Sequence, residues 1–264
     1  MIKLLIIDGL NLVRRIYSAL PANENDTPDI DQFLKACDNA FARALKQHQP
    51  SHAVCVFEHY DTTWRHALYP PYKANRKPQP EAMLAAFPAL QTKLEQLGIA
   101  WLNIEGYEAD DIIASIVHAT QKHDCYNLVL STDQLMAQLC SDQTHFHDHF
   151  NDAAITPNTI KTKYNIDTTQ LADYFALVGS NSVNIPGIGG IGAKTANQLI
   201  HHYGNIPAMI QASEENKQHD QPDKTLSRLE GRQAELYLYR ALFTLRNDCP
   251  IGRNLKAWRI LKAN

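Results

Sequence analysis

No cysteine pair stands at Cys-x-x-Cys spacing. The five cysteines, Cys37, Cys55, Cys125, Cys140 and Cys249, are scattered. That argues against structural zinc, and for a reducing compartment in which thiols serve as core filler. No apolar run approaches the roughly 20 residues needed to cross a bilayer. The stretch Met1 to Asp8 turns acidic too soon for a secretory leader. Internal repeats and low-complexity tracts are absent, and nothing calls for a small organic cofactor. A net charge of −3 lacks the excess of one sign that would make the whole surface basic. Any affinity for phosphate must therefore come from local patches. These absences lead to the expectation of a soluble, cytoplasmic protein, monomeric by default. What is present is 264 residues, 44% of them hydrophobic, enough for one large domain or two modest ones.

Lys3 to Ile7, Ala53 to Phe57, Ile99 to Ile104 and Asn127 to Leu130 read as buried strands. Helical patterns at about 31–47, 81–97 and 110–122 alternate with them. The expected class is α/β, a mostly parallel sheet with helices on both faces. Ligands bind such sheets outside the carboxyl ends of the strands. All four runs end near acid: Asp8, Glu58, the run Glu108-Ala109-Asp110-Asp111, and Asp133. An acidic first turn favoured by the helix dipole would explain one cluster. Four acid-bearing strand ends on one rim are harder to explain as caps, because close carboxylates repel unless protonated or neutralised by a cation. Asp8, Glu58, Glu108, Asp110, Asp111 and Asp133 would form an all-oxygen cage, with Glu108 and Asp111 sharing a helix face at i, i+3. Such a cage suits Mg²⁺ or Mn²⁺ better than zinc, and acid-held Mg²⁺ normally serves phosphoryl transfer. His145, His147 and His149 alternate along a possible strand, but no nearby acid or cysteine completes a metal set.

From Thr62 to Pro80 the chain carries Arg65, Lys73, Arg76 and Lys77 with Trp64, Tyr69 and Tyr72, and no acid. Most charge runs are solvated loops. Cations interleaved with rings are also what single-stranded nucleic acid asks for. Beyond about Thr156 the pattern turns helical, with segments at 168–178, 193–202 and 227–245. Ser213 to Lys224 is polar and reads as a mobile loop. Gly187 to Thr195 has the wrong spacing for a P-loop. A glycine hairpin opening a helix still aims amide groups at an anion, and between two helices it grips a nucleic-acid backbone without reading sequence.

Together these residues resemble the flap endonuclease / 5′-3′ exonuclease family. The matches are Ile7-Asp8-Gly9 with Asn11, Trp64-Arg65-His66, Tyr72-Lys73-Ala74-Asn75-Arg76, Glu108-Ala109-Asp110-Asp111, Ser131-Thr132-Asp133, and Asn184-Ile185-Pro186-Gly187 running into Gly189 to Thr195. The resemblance implies a metal-dependent, PIN-like nuclease domain over 1–156, including a helical arch at 61–82. It implies a helical DNA-binding domain over 157–264, with a helix–three-turn–helix at about 168–203. The activity it implies is hydrolysis of DNA phosphodiesters at 5′-flap junctions with Mg²⁺, in replication or repair. Asp8, Glu58, Glu108 and Asp110 would ligate the first metal, with Asp111 and Asp133 close by. Lys73 and Arg76 would act at the scissile phosphate, and Tyr72 would stack on a base. Gly190, Ile191, Gly192, Ala193, Lys194 and Thr195 would hold duplex DNA. Backbone carbonyls of Leu177, Val178, Pro186, Ile188 and Ile191 would hold K⁺.

Three departures stand out. Glu58 replaces the family's usual Asp. Leu135 stands where a second Asp follows Asp133, and Gly179-Ser180-Asn181-Ser182-Val183-Asn184 lacks two further acids. Leucine and valine cannot coordinate Mg²⁺, so one tight site is expected, with any second ion held mainly by substrate and water. The competing expectation is a flap- or junction-binding protein with little or no cleavage. A small ribonuclease ranks last, because such proteins lack the glycine hairpin domain.

Overall fold

The computed structural model describes residues 2–21, 28–58, 62–216 and 223–260. In chain order the elements are β1 (Ile2–Asp8), α1 (Gly9–Ala19), α2 (Ile30–His48), β2 (His52–Val56), α3 (Trp64–Leu68), α4 (Glu81–Ala85), α5 (Phe87–Gln96), β3 (Ala100–Leu102), α6 (Ala109–Thr120), β4 (Cys125–Leu130), β5 (Thr144–Asp148), β6 (Ala153–Ile155), α7 (Pro157–Tyr164), α8 (Leu171–Val178), α9 (Ala193–Tyr203), α10 (Ile206–Asn216) and α11 (Gln233–Phe243).

These elements form two compact units that cut across chain order. The first holds the described residues before 59, Lys77–Ile155, and the described residues from Arg246 on; the second holds Thr62–Arg76 and Thr156–Leu245. One boundary between the units lies between Ile155 and Thr156. The segment read as an arch of the first domain instead groups, as far as Arg76, with the helical unit. Conversely the last strip of chain returns to the sheet unit. Its anchors are the amides of Arg246 on Asp111 Oδ1 (3.0 Å), Cys249 on Ser115 Oγ (3.0 Å) and Ile260 on the Ser51 carbonyl (3.1 Å).

The first unit is built on one sheet ordered β3-β2-β1-β4-β5-β6, parallel except for β6. Strand β1 is central because Leu4 to Ile7 are apolar on both faces and fully buried. Leu5 and Ile7 face α1, α2 and α5 in one core layer, and the alternate face receives α6, which packs on β1, β2 and β4. Strand β5 falls where 145–149 read as a possible strand, and β6 was not expected. In β5 and β6 exposed His145, Ala153 and Ala154 and half-buried His147 dilute the apolar signal. The single helix expected at 81–97 splits at Ala86, since Pro88 in the first turn of α5 cannot donate to a preceding turn.

The second unit packs α8 against α9 and α11, with α10 against α9 and the turn Leu226–Leu229. Buried Asp173 ties it together, accepting the Ile206 amide (3.2 Å) and the Arg240 Nε (2.7 Å). The mobile loop expected at 213–224 is not what forms over its first residues. Ser213 to Asn216 complete α10, and buried Asn216 pairs with the amide and carbonyl of Asp223. Residues 217–222 of that expectation lie outside the described residues. Among the described residues no helix is long and apolar enough to cross a membrane.

Candidate functional site

Parallel register sets the rim. Asp8 pairs with Val56, Ile7 with Leu130, and Val56 with Leu102, so the chain leaves β1, β2, β3 and β4 at one edge. Helix α6 runs from the end of β3 back to the start of β4, which puts its N-terminus at that same edge. Asp8 closes β1 and caps α1, accepting the Asn11 amide on Oδ1 (3.2 Å). Its Oδ2 accepts the Ser131 hydroxyl (2.8 Å), and the Asn11 carboxamide holds the Thr132 hydroxyl (3.0 Å). Asp8 is buried, and burial pushes its pKa up to about 7, with repulsion from Asp133 and Glu58 adding to the rise against the two hydrogen bonds. Asp8 at the end of β1 thus senses two other expected acids, Glu58 after β2 and Asp133 after β4.

The others divide. Glu108 is buried and is the N-cap of α6, in extended conformation. It precedes the first helical residue, and its carbonyl accepts the Asp111 amide (3.1 Å) across the first turn. Asp110, in the first turn, is partly exposed. Asp111 is fully buried, with one oxygen committed to the Arg246 amide. Exposed Asp133 caps the turn Gln134–Leu139 through the Leu135 amide (2.8 Å). Among the described residues no three histidine, cysteine or carboxylate groups form a set that could hold a metal ion as placed. Asp8, Asp111 and Asp133 each accept a hydrogen bond from a nearby donor. The donor chemistry still fits a hard divalent cation. The rim groups are carboxylates, and the repulsion felt at Asp8 is what such an ion would relieve. The histidines do not form a metal set. His145 stacks on Tyr126 (4.9 Å), His147 meets Asp152 (3.0 Å) and His149 takes the Arg43 guanidinium (2.7 Å).

In the second unit, the basic aromatic segment is only partly a surface for a ligand. Arg65 is 1% exposed. It donates to the carbonyls of Leu242 (2.8 Å) and Thr244 (3.3 Å), closing the C-terminus of α11, and stacks on Trp64. Tyr72 is 5% exposed and meets His66 edge-on, so its face is covered in this conformation. Residues 71–76 are fastened to 181–184. The Lys73 amide donates to Val183 (2.9 Å), Asn75 Nδ2 to Asn181 (2.6 Å), Arg76 Nε to Ser182 (2.9 Å), and Asn184 Nδ2 back to Pro71 (2.7 Å). Lys73 takes a left-handed backbone (φ 54°) at this junction. The motif signalled basic character; it carried no sign of this fastening, whose acceptors are backbone carbonyls.

The glycine hairpin follows. Gly179 and Gly187 have φ of 76° and 71°; a methyl on Gly179 would strike the backbone of Ile185 and Pro186, and one on Gly187 the backbone of Leu177 to Gly179. Ile188 and Ile191 are buried anchors, whereas Gly189, Gly190 and Gly192 are exposed ahead of α9, as are Ala193 and Lys194 in its first turn. The Leu177 carbonyl accepts the Ile188 amide (2.8 Å), and the Ile188 carbonyl accepts that of Ile191 (3.0 Å). Each carbonyl oxygen keeps a second lone pair, so this set remains compatible with K⁺.

Residues 3–165 match the family model for the 5′-3′ exonuclease N-terminal resolvase-like domain, and 166–264 that for the 5′-3′ exonuclease C-terminal SAM fold. A flap endonuclease Xni of Psychromonas ingrahamii is 37% identical, with 97% of this chain and 96% of that protein covered. Another, of Shewanella woodyi, is 38% identical over 97% of this chain and 98% of its own. The fold is that of the T5 5′-exonuclease solved with zinc bound, at TM-score 0.73 and 23% identity, covering 91% of this chain and 89% of that one. It is also that of the Rad2 catalytic core solved with a DNA substrate, at TM-score 0.57 and 11% identity, covering 93% and 80%. With both domain models matched end to end and relatives above 30% identity over nearly its whole length, the chain belongs to the 5′-3′ exonuclease family and, within it, is similar to the flap endonuclease Xni proteins.

Proposed function

We propose that the protein is a structure-specific 5′-flap endonuclease that hydrolyses DNA phosphodiesters at branched junctions with Mg²⁺, in replication or repair. One observation carries the reading. A buried aspartate at the end of the central strand is held between two donors and repelled by two other acids. A fold gains nothing from that arrangement unless a cation and a phosphate come to it. The relatives, which are flap endonucleases, and the fold neighbours solved with DNA or metal ions support it.

Asp8, Glu58, Glu108 and Asp110 are the proposed ligands of the tight site, with Asp111 and Asp133 supporting from beside it. Mg²⁺, when bound, supplies positive charge that polarises a phosphate oxygen. The chain's own part is orientation. Ser131 and the Asn11 amide fix the two oxygens of Asp8, and the α6 N-terminus places its positive dipole end at the rim. Lys73 and Arg76 would contact the phosphate backbone, and Tyr72 would stack on a base once uncovered. The hairpin 190–195 would hold duplex, with K⁺ on the carbonyls of Leu177, Val178, Pro186, Ile188 and Ile191. Leu135 and Val183 offer nothing to a second ion, so the Mg²⁺ requirement should be high, and saturation at low micromolar metal would count against this assignment.

Asp110→Asn is the deciding variant. Cleavage of a 5′-flap duplex should fall about 10²-fold or more, the scale on which preorganised charge stabilisation is lost, with flap binding retained. The alternative, a junction-binding protein, requires that wild type leave the flap uncut and that Asp110→Asn bind equally or more tightly.

A further inference from the structure

The glycine hairpin has a cationic neighbour from another element. Arg228 lies on the turn Leu226–Leu229, which Leu226 (4% exposed) and Leu229 (1%) pin to the second unit. Buried Asn216 fixes the start of that turn through Asp223 and Ser227. The Arg228 side chain is exposed and reaches the hairpin. Its Nη1 donates to the Gly190 carbonyl, and a Cβ on Gly190 would lie 3.5 Å from that same nitrogen. Arg232 follows one turn on, with Nη2 at 4.0 Å from a Cβ placed on Gly189. Arg232 is already paired with Glu235 Oε2 (3.0 Å). Lys194, exposed in the first turn of α9, supplies charge on the hairpin itself.

We propose that Arg228 is a phosphate-binding residue of the duplex grip, working from outside the hairpin motif. The ligand class is the sugar–phosphate backbone of duplex nucleic acid, read without regard to sequence. This rests on the reading that the hairpin binds duplex. An exposed carbonyl on an anion-binding loop repels a phosphate. Arg228 occupies that carbonyl with one N–H and replaces its negative end by a guanidinium. Nε and Nη2 remain to donate in the forked geometry that suits phosphate oxygens. Arg232 contributes less, because Glu235 cancels its charge.

The test is binding of the full-length protein to an unbranched duplex in chelator, followed across a salt series. Each neutralised phosphate contributes about 0.9 to the slope of log K against log salt. Arg228→Gln, which can still donate to Gly190, should flatten the slope by about 1 and weaken binding about tenfold near 0.1 M salt. Its thermal midpoint should stay at the wild-type value. Arg228→Lys should keep the wild-type slope, and Arg232→Gln should change it by less than Arg228→Gln does. A wild-type slope in Arg228→Gln, with wild-type duplex binding intact, would overturn the assignment of Arg228 alone. Absence of salt-dependent duplex binding by wild type would overturn the hairpin reading and this inference together. If Arg228→Gln does not fold, Arg228→Lys decides: an unchanged slope supports the assignment, and a slope flattened by one despite retained charge sinks it.

Discussion

At the rim of the sheet the chain buries charge; at the glycine hairpin it buries hydrocarbon and leaves its backbone outside. Asp8 and Glu108 are 4% and 3% exposed, whereas the hairpin hides Ile188 and Ile191 and exposes Gly189 to Lys194, apart from Ile191. Each arrangement matches what it would bind. A compact divalent ion needs anionic oxygens in a dry setting, where its charge is poorly screened. A helical polyanion needs a rigid, neutral-to-positive surface that comes close without side chains in the way. The rim is therefore electrostatically unfavourable by itself and should respond to pH and metal. The hairpin carries no such repulsion and should respond to neither pH nor Mg²⁺.

The largest test is of the hairpin. Gly187→Ala places a methyl against Leu177 to Gly179 at a left-handed backbone. The conformational cost and the collision together should destabilise the second unit by more than about 2 kcal/mol. The thermal midpoint and duplex affinity should both fall, while the metal response of the rim persists. A Gly187→Ala protein that melts and binds like wild type would show that the hairpin is not held as tightly as described.

Next in size is Asp8→Asn. The folded value of Asp8 stands at about 7 against an ordinary 3.8, so the native chain holds a proton that the unfolded chain releases. Ionisation then opposes folding increasingly from about pH 4 to about pH 7, and the penalty is complete above that. Asp8→Asn removes it. Without metal, the variant should melt above wild type at pH 8, with the gap closing toward pH 5. Added Mg²⁺ should raise the wild-type midpoint at pH 8 by more than that of the variant. Equal melting of the two proteins at both pH values, with and without Mg²⁺, would erase the contrast between rim and hairpin.

The smallest effect expected is that of Asn75→Ala, which deletes the side-chain bond to the Asn181 carbonyl (2.6 Å). Such a bond is worth about 1 kcal/mol. The global midpoint should hardly move. Proteolysis within 62–76 should quicken, and the KM for a flap substrate should rise several-fold with kcat little changed. A fall in kcat alone would mean that this fastening matters to chemistry rather than to placement.

Much of the sheet was legible because buried parallel strands leave unbroken apolar runs, as at Leu4 to Ile7, and because helix α6 opens on an acidic N-terminus. Helix α1 was not expected, since it follows β1 without a linker and Asp8 serves as strand end and helix cap at once. Strands β5 and β6 lie toward one side of the sheet; β5 showed as a possible strand through its alternating histidines, and β6 carries too little hydrocarbon to show at all. Arg65 read as a free cation because sequence shows charge but not burial. Nothing local reveals that Asp111 accepts the amide of Arg246, 135 residues on.

The order of residues alone determined the alternation of strand and helix, the carboxylate chemistry of the rim and the glycine spacing of the hairpin. These follow from side-chain type and periodicity, which are local properties. Tertiary structure decided which acids sense one another, which carboxylates are engaged by distant amides, and that 62–76 fastens to 181–184. Burial, repulsion and hydrogen-bond pairing depend on distance in space, and the chain brings together groups that its sequence keeps far apart.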